Sequence, residues 1–65
     1  MVDYEALAVW IGSREVTVTE IAAWCGVSYQ SAFHVIDTLS INYTLYACKR
    51  GYYKMLRPVI KKEGN

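Results

Sequence analysis

Apolar residues recur at helical spacing in "YEALAVWI", residues 4 to 11, with Leu7, Trp10 and Ile11 on one side. Asp3 stands before this run as an N-cap, and Gly12 after it supplies a C′ residue able to take positive φ, so a first helix is predicted here. In "REVTVTE" the pattern turns extended, with Val16 and Val18 on one side of a single short edge strand. Thr17 followed three residues later by Glu20 has the form of a capping box, which starts a second helix close to Thr17 or Thr19. Ile21, Ala22 and either Trp24 or Cys25 form its inner face, and Gly26 stops it after about two turns. Val27 then reads as a buried plug. Ser28 is an N-cap for a third helix running to about Ser40, on which Ala32, Val35, Ile36 and Leu39 fall at i, i+3, i+4 and i+7.

From Ile41 the period changes to two. Ile41, Tyr43, Leu45 and Ala47 take one face of a strand, and Asn42, Thr44, Tyr46 and Cys48 the other. A second alternating run, "YYKML", is closed by Pro58, so Lys49, Arg50 and Gly51 read as the tip of a β-hairpin spanning about 48 to 53. This divides the chain into a folded domain at 1–58 and a basic flexible tail at 59–65.

The interruption at Gly26 admits two readings, one bent core helix or two helices joined by a tight turn. A bent helix leaves Tyr29, Gln30, Ser31 and His34 as an unexplained polar stripe, whereas two helices make them the exposed face of the second. Ala22 and Ala32 are small where such helices cross, Gly26 makes the sharp turn and Val27 fills its angle. The expected fold is therefore α+β, a winged helix-turn-helix of three helices plus a β-hairpin wing, with the third helix in the DNA major groove and the wing on the backbone or minor groove.

Composition narrows the function. A chain of 65 residues buries only about 60% of the surface its unfolded form exposes, which leaves room for one small domain and none for a separate catalytic one. The formal net charge of +1 conceals a split. Residues 1 to 37 carry five acids and one base, net −4, and residues 38 to 65 carry six bases and one acid, net +5. Cys25 and Cys48 lack CxxC spacing and His34 is the sole histidine, so two buried free thiols are expected and neither zinc nor any other cofactor. No run approaches the roughly 18 apolar residues of a membrane span, and "MVDYEALAVW" starts acidic, unlike a signal peptide. A cytoplasmic, non-membrane protein is the expectation.

"EIA" at Glu20 to Ala22, Val27, the hydroxyl cap Ser28, Ala32, Leu39 and the basic-Gly tip at Arg50 and Gly51 resemble the small enterobacterial regulators of the FaeA/PapI type, which control fimbrial operons. "AVW", "EIA", Ala32 and the short-stranded wing are similar also to the CaiF/GrlA group of transcriptional activators. Either resemblance covers roughly residues 5 to 58. It implies bacterial transcription regulation, as a regulator in its own right or as a co-regulator working with a larger DNA-binding protein. Regulators of the fimbrial type place a basic residue at about the position of Phe33, whereas the third helix here holds no Arg or Lys.

The DNA-binding candidates on the third helix are Ser28, Tyr29, Gln30, Ser31, Phe33 and His34. Gln30 can pair in bidentate fashion with adenine, Ser31 can serve either base type, and Tyr29 suits a phosphate. The same residues would also make an ordinary solvated face. Phe33 lies off the core stripe, which leaves three roles open: a thymine methyl contact, a dimer or partner interface, or cover by the wing. His34 admits a phosphate, base or pH-sensitive contact as well as a plain surface position. On the wing, Lys49 and Arg50, helped by Lys54 and Arg57, are phosphate or minor-groove candidates, or simply a basic hairpin that protects a sheet edge.

Ser31, His34 and Asp37 recur every third residue, but a helix spreads them along its surface instead of converging them, so no enzyme is expected. With so few bases, double-stranded DNA affinity is expected to be modest and supplemented by a homodimer or a larger regulatory protein. Tyr4, Trp10, Tyr43 and Tyr46 are the candidates for an apolar dimer patch. The alternative functions are a winged-helix module that docks a protein through Tyr29 and Phe33, and an excisionase-like architectural DNA protein.

Overall fold

The Asp3 carboxylate accepts the amide of Ala6 at 3.1 Å and so opens α1, Tyr4–Ile11. The computed structural model describes residues 2–56, and within them the chain continues as β1 (Val16–Thr17), α2 (Val18–Cys25), α3 (Tyr29–Asn42), β2 (Tyr46–Lys49) and β3 (Tyr52–Lys54). The architecture is α+β, three helices with one antiparallel sheet in the order β1-β3-β2. Arg57, Pro58 and the 59–65 tail lie outside the described residues.

Local chemistry sets each helix boundary. Gly12 closes α1 at φ 57°, its amide bonded to the Ala8 carbonyl. Thr17 and Glu20 complete the capping box in both directions, with the Glu20 amide on Thr17 Oγ1 at 3.0 Å and the Thr17 amide on Glu20 Oε1 at 2.8 Å. Gly26 ends α2 in the left-handed region at φ 71° and ψ 35°, which a side chain adopts only at a cost of about 1–2 kcal/mol. The break is thus a true stop between two helices. Ser28 restarts the chain as the N-cap of α3, its Oγ accepting the Ser31 amide at 3.1 Å.

The core lies between the helices and the inner face of the sheet. Leu7, Ile11, Ile21, Leu39, Val16 and Met55 are its large, fully enclosed side chains, and the predicted stripe Ala32, Val35, Ile36 and Leu39 is buried along α3. α2 packs on α3, and Ala22 and Ala32 are both buried.

Several expectations need correction. Ala8 joins Leu7 and Ile11 as the buried face of α1, while Trp10 sits half-buried at its edge. Val18 is buried like Val16 but belongs to the first turn of α2, because the capping box ends the strand at Thr17. On α2 it is Cys25 that turns inward and Trp24 that faces out, and both Cys25 and Val27 are half-buried. Cys48 is half-buried too, so neither free thiol is fully enclosed.

The largest difference is at the end of α3. The helix runs through Ile41 and Asn42, and the Tyr43 amide still reaches the Leu39 carbonyl in the i to i−4 pattern. The strand therefore begins at Tyr46, and Ile41 is exposed by 60% while Tyr43, expected on the same strand face, is buried. Tyr43 is buried in the core, and Tyr4 and Trp10 pack against it. Of the four suggested dimer residues only Tyr46 is exposed.

Candidate nucleic-acid interface

The inward stripe of α3 determines by elimination what its outer face offers. Tyr29, Gln30, Ser31, Phe33 and His34 are all exposed, as is Ser28 before them. Two internal contacts organise this face. The Ser28 hydroxyl donates to Ser31 Oγ at 3.0 Å while accepting the Ser31 amide, so both serines take part in holding the helix start, and the Ser31 hydroxyl keeps its proton and one lone pair to offer outward. Tyr29 and Phe33, one helical turn apart, meet edge to face with ring centroids at 5.2 Å and planes at 85°, the geometry that the aromatic quadrupole favours. Phe33 remains 41% exposed, so its partner is Tyr29 and it is no core residue.

Asp37 continues this stripe one turn beyond Phe33 and is also exposed. A carboxylate there makes this end of the face repel anions, unlike the uncharged first two turns. Ser31, His34 and Asp37 are spread along the helix surface, and no cavity is found among the described residues. Nor do the described residues include a cluster of His, Cys, Asp or Glu suited to a metal ion.

The hairpin sets each of its strand lysines opposite a tyrosine. β2 and β3 pair Tyr46 with Lys54, Ala47 with Tyr53 and Lys49 with Tyr52, with a bulge between Ala47 and Lys49 that leaves Cys48 as the extra residue. Arg50 and Gly51 are the two turn residues, and Gly51 takes φ 81°. Arg50 is exposed. Because Tyr53 packs toward the core, alternation along β3 places Tyr52 and Lys54 on the opposite, outer face, joined there by Tyr46, the cross-strand partner of Lys54. Tyr46 and Tyr52 are 49% and 39% exposed, so this face alternates aromatic and basic groups. The residues of "YYK" could have signalled it, since period two puts Tyr52 and Lys54 together.

A second feature escapes sequence reasoning. Trp10 of α1 stacks on Trp24 of α2 with centroids at 5.6 Å and planes at 25°. The Arg14 guanidinium lies 4.5 Å from the centre of the Trp10 ring, and its Nε donates to the Trp10 carbonyl at 3.1 Å. The lone base of the acidic half is thereby spent on local structure, which leaves the hairpin as the basic feature of the described chain.

Among the described residues no helix is long and apolar enough to cross a membrane. No protein-family model, curated protein or solved structure matches the chain.

Proposed function

We propose that the protein is a winged helix-turn-helix regulator of transcription that binds duplex DNA. In this reading α2, the Gly26 turn and α3 form the helix-turn-helix, α3 enters the major groove, and the β2-β3 hairpin is the wing on the phosphate backbone or in the minor groove. The observation that carries it is the conjunction of two features in one small fold. A capped helix after a left-handed glycine turn leaves Tyr29, Gln30, Phe33 and His34 outward, and a hairpin with Arg50 at its turn and Lys54 on its outer face follows directly.

The strand order supports the same reading, since it places the central β3 between the strand that leads into α2 and the strand that follows α3. Few bases face outward, so the affinity is modest and a second copy or a larger regulatory protein reinforces it. The protein then works in the cytoplasm, where its DNA is.

Protein docking is the second reading, favoured by one observation: α3 contains no Arg or Lys and exposes the Tyr29–Phe33 pair. Titration of fluorescent mixed-sequence duplex at about 50 mM salt separates the two, because phosphate contacts survive at low salt and each one steepens the log–log salt slope by nearly one unit. DNA binding predicts a saturable signal, and a shallower slope for the Lys49→Ala/Arg50→Ala double variant. Absence of binding by the wild type would sink the DNA reading and move attention to a protein partner of Phe33.

A further inference from the structure

We propose that α3 reads A·T base pairs, Gln30 taking adenine and Phe33 the thymine methyl, so that the protein prefers A·T-rich duplex. This rests on the DNA-binding reading above.

Guanine is read in the major groove chiefly by Arg or Lys, whose donors meet O6 and N7. α3 holds neither residue anywhere along Tyr29–Asn42. What it exposes in its first two turns has the opposite selectivity. A glutamine amide both accepts and donates, matching the N6 donor and N7 acceptor of adenine, and thymine alone among the four bases presents a methyl group in that groove. Gln30 and Phe33 stand three residues apart on one exposed face, close to the helix start that reaches base edges.

Phe33 is also available for an apolar contact. The Tyr29 ring meets it edge to face from the preceding turn and leaves it 41% exposed, so an apolar surface is open to a methyl on this face. The other polar groups of the face do not oppose this preference. The Ser31 hydroxyl, which can donate as well as accept, serves either base type, and an imidazole N–H at His34 can meet N7 of either purine. Asp37 lies seven residues beyond Gln30, about 10 Å further along the helix axis.

Three duplexes of equal length test this at about 50 mM salt: one A·T-rich, one G·C-rich, and the A·T-rich one with every thymine replaced by uracil. The expected order is A·T-rich tightest by about tenfold over G·C-rich, with the uracil duplex weakened several-fold. Phe33→Ala should bind thymine and uracil duplexes alike, while Gln30→Ala should narrow the A·T over G·C ratio. The uracil duplex leaves the protein untouched, so the comparison stands even if a variant folds poorly. Equal, salt-dependent binding of all three overturns the A·T assignment and leaves DNA binding in place. Full thymine preference in Phe33→Ala overturns the role of Phe33, an unchanged A·T over G·C ratio in Gln30→Ala overturns that of Gln30, and binding to none of the three overturns the DNA reading itself.

Discussion

The amide of Val18, the first residue of α2, donates to the carbonyl of Gly51 at 3.2 Å. A helix start leaves four amides without partners inside the helix, and here the turn of the hairpin supplies one of the acceptors. The position of the turn against the helix pair is therefore held by a backbone contact, whatever the side chains at 49 and 50. Gly51 sits at φ 81° with nothing within 4 Å of an added Cβ, so the penalty for Gly51→Ala is conformational, about 1–2 kcal/mol. Urea unfolding should show that loss, with Val18 losing amide-exchange protection in the same variant. An unchanged midpoint would mean that the turn relaxes without cost.

The end of α3 makes a second test. Ile41 is exposed by 60% on the helix, whereas a strand from Ile41 would put it on the same face as the buried Tyr43. Ile41→Ala should therefore change stability by no more than about 0.5 kcal/mol. Met55→Ala, at a fully buried position, should remove about 2–5 kcal/mol, enough to unfold much of so small a domain. Thermal melts of the two variants compare them directly, and a large loss for Ile41→Ala would restore the longer strand.

Burial pushes the Cys25 thiol above its ordinary pKa. The native state thus holds that proton more tightly than the unfolded chain does. Below the unfolded pKa both states are protonated and stability is at its full value. As pH rises through that value toward the native one, the unfolded chain ionises first and stability declines. The urea midpoint should fall more steeply with rising alkaline pH in the wild type than in Cys25→Ala. Alkylation of Cys25 at neutral pH should be slower than that of free cysteine, and equal rates would argue against its shielding.

The stacked indoles of Trp10 and Trp24 join α1 to α2. A double-mutant cycle with Trp10→Leu and Trp24→Leu should give a coupling of about 0.5–1.5 kcal/mol, and the near-ultraviolet dichroism of the pair should vanish in either single variant. Additive effects would show that each ring contributes only its own burial.

The three helices are legible in the chain because their signals are local. Asp3, the Thr17 and Glu20 box, Gly26 and Ser28 act within three or four residues of themselves, and the Ala32 to Leu39 stripe admits one face only. The end of α3 is not legible in this way. Ile41 and Asn42 suit either period, and the choice is made by the Tyr43 amide on the Leu39 carbonyl and by the burial of Tyr43. The Trp10–Trp24 stack joins residues on separate helices, which neither helix's own pattern announces. The exposed face of α3 follows from the stripe it does not use. The Tyr29–Phe33 contact at i and i+4 was also within reach of sequence, yet the engagement of Ser31 by Ser28 needed side-chain geometry.

β3 stands between β1 and β2, and those two strands do not pair with each other. Three residues near the end of the described chain thus complete a sheet whose first strand was laid down more than thirty residues earlier. The strand that Val16 joins follows all three helices in the chain. The helices rest on contacts near in sequence, whereas β1 gains its partner only through a contact more than thirty residues away, the kind that slows folding. A protease cut or a premature stop just ahead of Tyr52 would leave two orphaned edges and an open core in place of a slightly shortened protein.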